Sequence, residues 1–276
     1  MSMEPSSPER LTPAVDIGAL ESQFDLTGQV AFVPGGYGAL GQAICWALAV
    51  HGARVAVAGP SAERAEQLAG EIREHGFGAG AWRLDASNVA EIAPVVDKVT
   101  AELGEIDVLV NCVGIQREQA LLDVTEETFD LMYRTNLKSA MFLAQAVARR
   151  QIARAQGGRH IHLLSVRSKL ALRDRGYSAY CSTKGGLLML VRQHAMELAP
   201  HNITVNGIAP TFIQSDRIRP HLEKKEFREF ILNRNPLGRI GDPIEVAGPV
   251  IALAAPAGSY VTGQVLFVDG GVTACQ

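Results

Sequence analysis

Short apolar runs alternate with longer amphipathic segments along most of the chain, beginning at Gln29. The short runs predict strands at 30–33, 54–58, 79–84, 107–110, 159–164, 203–208 and 265–268. The longer segments repeat apolar residues three and four positions apart, which predicts helices at 39–51, 61–75, 88–103, 125–155, 180–200 and 243–254. Because strands and helices alternate, the expected fold class is α/β, a single domain with a doubly wound parallel sheet of about seven strands and helices on both faces.

Two segments fall outside this alternation. Residues 1–24 are rich in Pro, Ser and Glu and are expected to form a flexible arm in front of a domain at 25–276. Residues 211–240 are charged and irregular, which predicts a mobile substrate lid over the carboxyl ends of the strands. The lid is expected to be cationic, with Arg217, Arg219, His221, Lys224 and Lys225.

Composition narrows the classes of partner. The chain has 276 residues, is 47 % hydrophobic and carries a net charge of −3, so its charge balance does not predict a nucleic-acid partner. It contains no apolar run of about 18 residues, so no membrane span is expected. The cysteines show no metal-like or disulfide-framework spacing, which predicts a reduced cytoplasmic protein without a metal; they are Cys45, Cys112, Cys181 and Cys275.

A glycine-rich loop at 34–41 lies between the first strand and its helix. In this position free backbone N–H groups and the positive end of a helix dipole can bind a dinucleotide pyrophosphate. The glycines at 36, 38 and 41 fit the G-x-G-x-x-G pattern, so the loop predicts a Rossmann-type cofactor site.

The end of the second strand bears on the choice of cofactor. Dinucleotide enzymes often carry an acid here that binds the adenosine ribose. This chain has Ala58-Gly59-Pro60-Ser61 instead, and no acid to repel a 2′-phosphate. Ser61 and Arg64 are the nearest candidates to bind that phosphate, so the sequence favours NADP and leaves NAD open.

Tyr180 and Lys184 lie four positions apart at the head of the predicted helix at 180–200, and so share one face. A free tyrosine has a pKa near ~10, and a lysine cation held close favours its phenolate. The pair can therefore exchange a proton near neutral pH. A tyrosine packed on a lysine stem gives the same spacing, so the surrounding motifs decide its meaning.

Those motifs resemble the short-chain dehydrogenase/reductase family from about Phe24 to Ala274. They appear in the family's order: Gly35-x-x-x-Ala39-x-Gly41, Asp85-Ala86, Asn111-Cys112-Val113-Gly114, Asn136, Ser165, Tyr180 with Lys184, Pro210-Thr211, and Val268-Asp269-Gly270-Gly271. The chain departs from the family pattern at five positions, where Pro34, Ala39, Cys112, Val113 and Thr211 replace Thr, Gly, Asn, Ala and Gly. These departures bear on cofactor affinity rather than on the fold.

The resemblance implies hydride transfer between an alcohol carbon and a nicotinamide. Tyr180 would exchange the alcohol proton, Lys184 would lower the pKa of Tyr180 and bind the nicotinamide ribose, and Ser165 would hold the substrate oxygen. Asn136 would hold a water that links Lys184 to solvent. The implied cofactor-binding residues are Gly35, Tyr37, Ala39, Leu40, Gly41, Gly59, Ser61, Asp85, Ala86, Asn111, Val113, Gly114, Tyr180, Lys184, Pro210 and Ile213. A homotetramer is implied in the same way.

The serine assignment has an alternative. The family serine commonly lies thirteen residues before the tyrosine, where this chain has Arg167. Ser165 and Ser168 lie on either side of that position. Ser165 is favoured because it directly follows the predicted strand at 159–164, and the segment 169–176 can absorb an insertion.

Within the family, the chain most resembles sugar-acid and polyol dehydrogenases of the gluconate 5-dehydrogenase type. The cues are the stretches at 24–28, 114–117, 121–125 and 263–271. A carboxylate substrate would favour a guanidinium partner. The predicted substrate residues are Arg117, Arg167 and Thr211, with Arg173 on a neighbouring segment.

Two other functions stay open at this level. The first is reduction of 3-oxoacyl groups on an acyl carrier protein, with a basic docking patch at Arg149, Arg150 and Arg154. The second is a non-catalytic dinucleotide-binding scaffold, which Pro34 and Ala39 suggest. The complete set of Asn136, Ser165, Tyr180 and Lys184 argues against the scaffold.

Overall fold

The computed structural model describes residues 15–215 and 218–274. Within these ranges the strands form one parallel sheet of seven, in the order β3-β2-β1-β4-β5-β6-β7. The strands are β1 Val30–Pro34, β2 Arg54–Gly59, β3 Ala79–Arg83, β4 Val108–Asn111, β5 Gly158–Leu163, β6 Ile203–Pro210 and β7 Val265–Val268. The predicted α/β class and the seven strands are therefore confirmed.

The six predicted helical segments all contain helices, and short helices also form at Ile17–Glu21 in the predicted arm and at Arg219–Leu222 and Lys225–Leu232 in the predicted lid. The helices are α1 Ile17–Glu21, α2 Ala39–Val50, α3 Ala62–Glu74, α4 Val89–Leu103, α5 Glu126–Tyr133, α6 Ser139–Arg154, α7 Ser178–Leu198, α8 Arg219–Leu222, α9 Lys225–Leu232 and α10 Pro243–Ala254. Several begin at a side-chain cap, because Ser61, Asn88, Thr125 and Asp242 each accept a hydrogen bond from the first turn. Within the described ranges, every helix is too short or too polar to span a bilayer.

The sheet is covered on both faces, and alternate side chains of each strand point to opposite faces. In β1, Ala31 and Val33 pack with α2, α3 and α10, whereas Phe32 packs with α4 and α6 on the other face. A third cluster joins α7 to β6. This two-sided burial explains why the strands are continuous apolar runs in the sequence.

The strand order reverses at β1, which pairs with both β2 and β4. Crossovers leave β1 and β4 toward opposite faces, so a crevice opens beyond their carboxyl ends. The glycine loop follows β1, and residues 112–115 follow β4. Both segments therefore border the crevice.

Two predicted segments differ in detail. The single helix predicted at 125–155 is divided into α5 and α6 by a π-helical turn at Arg134–Lys138. The predicted irregular lid contains α8 and α9. Arg217 of the predicted lid, residues 1–14 of the predicted arm, and Cys275 lie outside the described residues.

Candidate active site

Helix α7 brings Tyr180 and Lys184 together, one turn apart, beside the end of β5. The Lys184 side chain is 3 % exposed, and its Nζ donates a 2.9 Å hydrogen bond to Leu163 O. Nζ lies 5.9 Å from the centroid of the Tyr180 ring. Burial lowers the pKa of Lys184 from 10.5 to about 8. The amine is therefore largely protonated at neutral pH, and its charge lies next to the Tyr180 phenol.

The π-helical turn positions Asn136. An extra residue in one turn of a helix redirects the side chains around it, and such turns are frequent at functional sites. Asn136 is fully buried, and its Oδ1 accepts from Ile115 N at 2.7 Å. Its Nδ2 donates to Ile115 O at 2.9 Å and to Thr183 Oγ1 at 3.1 Å. Asn136 thus fixes the loop after β4 to α7, and its predicted role in a water relay stays a prediction.

Ser165 and Ser168 make different contacts. Ser165 follows β5, is only partly buried, and its Oγ accepts from Arg167 N at 3.2 Å. The Ser168 side chain is buried, and its Oγ donates to Ser165 O at 2.7 Å. Ser168 therefore closes the short turn at Val166–Ser168. This difference favours Ser165 as the residue that faces substrate.

The glycine loop is held tightly against the neighbouring loop. Gly35 has a φ of +79°, and a Cβ there would lie 2.8 Å from the Cys112 carbonyl. Gly38 is the N-cap of α2, and no side chain of the described ranges caps that helix. Ala39, which replaces the family's middle glycine, is exposed at the first position of α2, and Leu40 packs partly on the core. An uncapped helix N-terminus at this edge has free N–H groups that fit a pyrophosphate.

A cluster at the end of β2 accounts for the missing acid. The Tyr37 ring lies over Gly59, where any Cβ would overlap it. Tyr37 Oη accepts a 2.7 Å hydrogen bond from Ser61 N, and the Arg64 guanidinium lies 4.6 Å from the ring centroid. The tyrosine therefore fills the position of a ribose-binding acid and holds Arg64 at the edge of the crevice.

The loops after β3 and β4 complete this edge. Asp85 Oδ1 accepts from Ser87 N and Ser87 Oγ, at 3.0 and 2.7 Å, and Ala86 is buried. The Asn111 side chain is buried, its Oδ1 accepts from Val113 N at 3.0 Å, and its Nδ2 faces His162 at 3.3 Å. Asn111 therefore shapes the predicted cofactor site from inside the sheet.

Gly114 and Cys112 lie next to Lys184. A Cβ at Gly114 would lie 3.4 Å from Lys184 Nζ, so the loop backbone passes directly over the amine. Burial raises the pKa of Cys112 to about 12. The neutral thiol that replaces the family's asparagine does not compensate the Lys184 charge.

Comparison with known proteins identifies the family. The family model described as enoyl-(acyl carrier protein) reductase, a short-chain dehydrogenase model, matches residues 27–273. The chain belongs to the short-chain dehydrogenase/reductase family. It is accordingly an oxidoreductase acting on CH–OH groups.

Named relatives differ in substrate but not in overall similarity. The 5-keto-D-gluconate 5-reductase of Escherichia coli K12 is 33 % identical over 249 residues, 90 % of this chain and 97 % of that protein. The 3-oxoacyl-[acyl-carrier-protein] reductase of the same strain is 34 % identical over 246 residues, 89 % of this chain and 97 % of that protein. Identity alone therefore does not choose between a sugar acid and an acyl carrier.

Among solved structures, the gluconate 5-dehydrogenase of Burkholderia cenocepacia J2315, in complex with NADP and tartrate, superposes with a TM-score of 0.88. It is 34 % identical, with 92 % of this chain and 99 % of that chain covered.

The arginines predicted to bind an acyl carrier are mostly paired in this short-chain dehydrogenase. Arg150 forms ion pairs with Glu105 at 2.9 Å and with Asp97 at 3.0 Å. Arg154 forms an ion pair with Asp107 at 2.8 Å. Arg149 is exposed. The predicted docking patch is therefore largely neutralised, which weakens the acyl-carrier alternative.

The predicted substrate residues have different surroundings. Arg117 is exposed and its Nη1 turns back to Gln116 O at 3.2 Å, and Arg173 is also exposed. The Arg167 side chain is 8 % exposed; burial lowers its pKa, and nearby Cys181, Tyr177 and Tyr180 act in the opposite direction. Of these three arginines, Arg167 is the one whose described surroundings include Tyr180, through an electrostatic interaction.

The segment after β6 borders a cavity. Pro210 ends β6 and pairs with Val268, while Ile213 forms a bridge with Gly241. Thr211 and Ile213 line an apolar cavity of about 500 Å³ together with residues of 235–241 and 266–271.

The sequence did not predict one link near the site, between residues 118–119 and 175–176. Arg175 Nε donates to Glu118 Oε1 at 2.6 Å, its Nη2 pairs with Glu118 Oε2, and Gln119 N donates to Gly176 O at 3.0 Å. These bonds join the loop after β4 to the loop before α7. The partners lie 57 positions apart, and no local pattern in the sequence marks them.

Proposed function

We propose that this enzyme transfers a hydride between a nicotinamide dinucleotide and the secondary alcohol or ketone of a sugar acid or polyol, in the manner of a gluconate 5-dehydrogenase. The observation that carries the proposal is the buried, largely protonated Lys184 next to the Tyr180 phenol, at the edge of the sheet that also holds the glycine loop. A non-catalytic scaffold does not require this arrangement.

Each residue has one role in the proposal. The nicotinamide supplies the hydride chemistry when it is bound. Tyr180 accepts the alcohol proton as a phenolate and returns it in reduction, and the Lys184 ammonium stabilises that phenolate. Ser165 donates a hydrogen bond to the substrate oxygen. Asn136 keeps the loop at 113–115 in place above Lys184.

NADP is the proposed preferred cofactor. Arg64 and Ser61 at the end of β2 offer a guanidinium and a hydroxyl to a 2′-phosphate, and no acid stands at Gly59 to repel it. The uncapped N-terminus of α2 would receive the pyrophosphate. The Burkholderia relative that binds NADP supports the same choice.

The assignment of a sugar acid rests on two kinds of support. The similarity to gluconate-metabolising relatives in both sequence and structure favours it, and so does the neutralised acyl-carrier patch. A homotetramer, which the family resemblance implies, and a cytoplasmic location, which the cysteine usage predicts, are part of the proposal.

Replacing Tyr180 with Phe tests the mechanism. We expect Tyr180→Phe to lower kcat by at least ~100-fold with gluconate and NADP, because the proton then has no acceptor. Cofactor affinity and melting temperature should stay close to those of the wild type.

Tyr260→Phe is the matched control, since Tyr260 is fully exposed. Near-normal turnover in Tyr180→Phe would remove Tyr180 from its role. A panel of sugar acids, neutral polyols and acetoacetyl thioesters with both cofactors then tests the substrate class.

A further inference from the structure

Arg167 is a buried cation beside the catalytic tyrosine. It lies in the turn Val166–Ser168 directly after Ser165, and its backbone N donates to Ser165 Oγ at 3.2 Å. Its guanidinium interacts electrostatically with Cys181 and Tyr180 of α7 and with Tyr177 directly before α7. The backbone of Arg167 is thus joined to Ser165, and its charge lies near Tyr180.

The guanidinium is held in a fixed orientation. Nη1 donates to Leu170 O at 3.2 Å and to Ala171 O at 2.8 Å. Within 15–215 and 218–274, Nε and Nη2 make no hydrogen bond and no carboxylate pairs with this side chain. The guanidinium nitrogens Nε and Nη2 are therefore available to donate to another acceptor.

Both burial and a neighbouring charge disfavour the charged form of Arg167. Burial lowers the pKa of Arg167, and the positive charge of Arg234, which follows α9, lowers it further. Arg234 itself stacks on Phe230, with its guanidinium 3.9 Å from the ring centroid. A buried cation near a second cation is unfavourable without a counter-ion. Arg234 is exposed to water, so the buried charge of Arg167 is the one that an anion at Nε and Nη2 would compensate.

We propose that Arg167 binds the substrate's carboxylate and thereby selects acidic sugars over neutral polyols. The inference rests on the proposed function and adds the residue that decides between its two substrate classes. Nε and Nη2 supply parallel hydrogen bonds, a geometry that matches a carboxylate. Arg117 and Arg173 are exposed to water, and a pairing there would be weaker.

The wild-type enzyme gives the first test. We expect the NADP-bound enzyme to bind malonate at least ~10-fold more tightly than malonamide, its neutral analogue, by isothermal titration calorimetry. Equal affinity for the two compounds overturns the proposal, and this measurement requires no variant to fold.

Variants give the second test. Arg167→Met should abolish that preference and lower kcat/KM for gluconate by on the order of 10- to 100-fold, mainly through KM. Turnover of glucitol, which has an alcohol in place of the carboxylate, should change far less. Arg167→Lys keeps the charge and should restore part of the loss. Arg192→Met is the matched control, because Arg192 is exposed on α7.

The outcomes separate this inference from the proposed function. If gluconate is not turned over but the malonate preference depends on Arg167, the gluconate assignment fails and the carboxylate site stands. If gluconate is turned over and Arg167→Met, shown to be folded by circular dichroism, keeps its KM and its malonate preference, the site fails and the proposed function stands.

Discussion

Single residues decide how the cofactor edge of this enzyme is built. Gly59 is the clearest case, because its lack of a side chain lets the Tyr37 ring cover the end of β2. Tyr37 in turn accepts from Ser61 N and stacks with Arg64. One missing Cβ thereby determines both the absence of a ribose-binding acid and the position of a cation that suits a 2′-phosphate.

Gly59→Ala should therefore weaken NADP binding. The added methyl displaces the Tyr37 ring and breaks the 2.7 Å bond to Ser61 N, which releases Arg64. We expect Kd for NADP to rise on the order of 10-fold, equal to about 1.4 kcal/mol, with a smaller rise for NAD. Calorimetric titration measures both.

Gly248→Ala is the control, since a Cβ at Gly248 in α10 meets open space. An unchanged NADP affinity in Gly59→Ala would show that the Tyr37 cluster does not bind the cofactor.

At the scale of elements, the division of one predicted helix into α5 and α6 determines where the Asn136 side chain points. The π-helical turn at Arg134–Lys138 directs Asn136 inward, where its amide satisfies both backbone groups of Ile115. It also contacts Thr183, next to Lys184 on α7. The loop after β4 and α7 are thus joined through one side chain.

Asn136→Ala removes that joint. Two backbone groups of Ile115 lose their partners, so we expect the free energy of unfolding to fall by about 2–4 kcal/mol. We also expect kcat to fall, because the loop over Lys184 is no longer fixed. Chemical denaturation and steady-state kinetics measure the two effects.

Asp242→Ala is the comparison, because it removes only the capping box of α10. That change should cost about 1 kcal/mol and leave kcat unaltered. Equal kinetics in the two variants would contradict a functional role for the π-helical turn.

At the scale of the whole molecule, the packing of α7 against the sheet makes the Lys184 amine a buried base. The helix lies on β6, and Lys184 Nζ bonds to the end of β5. The cost of burying the ammonium lowers its pKa to about 8. Holding this cation next to Tyr180 therefore destabilises the fold.

This burial predicts a pH dependence of stability. Between pH 8 and about 10.5 the unfolded chain keeps the Lys184 proton and the folded protein releases it, so stability from this group rises with pH. Relative to Lys184→Met, the wild type should gain up to roughly 3 kcal/mol of unfolding free energy across that window. Urea denaturation at several pH values measures the difference.

The comparison with Lys184→Met cancels other groups that titrate in the same window. The quantity to follow is the unfolding free energy of the wild type minus that of Lys184→Met. If this difference stays constant or falls as the pH rises, the burial of a charged amine is contradicted.

The sequence by itself determined the α/β class, the order of strands and helices, and the nearness of Tyr180 to Lys184. These follow from local rules: side-chain periodicity, helix caps such as Ser61, and the spacing of one helical turn. The glycine loop after β1 was recognisable for the same reason, since the pattern and its context lie within one short stretch.

Tertiary structure alone decided the π-helical turn, the Glu118–Arg175 link and the difference between Arg167 and its exposed neighbours. Each depends on groups far apart in the chain, as with Asn136 and Thr183, 47 positions apart. Periodicity shows which face of an element is apolar, but it does not show which buried charge lacks a carboxylate to pair with. Whether a buried charge is compensated depends on every element packed around it. At Arg167, the groups that act on its charge lie on or next to α7 and in the segment after α9.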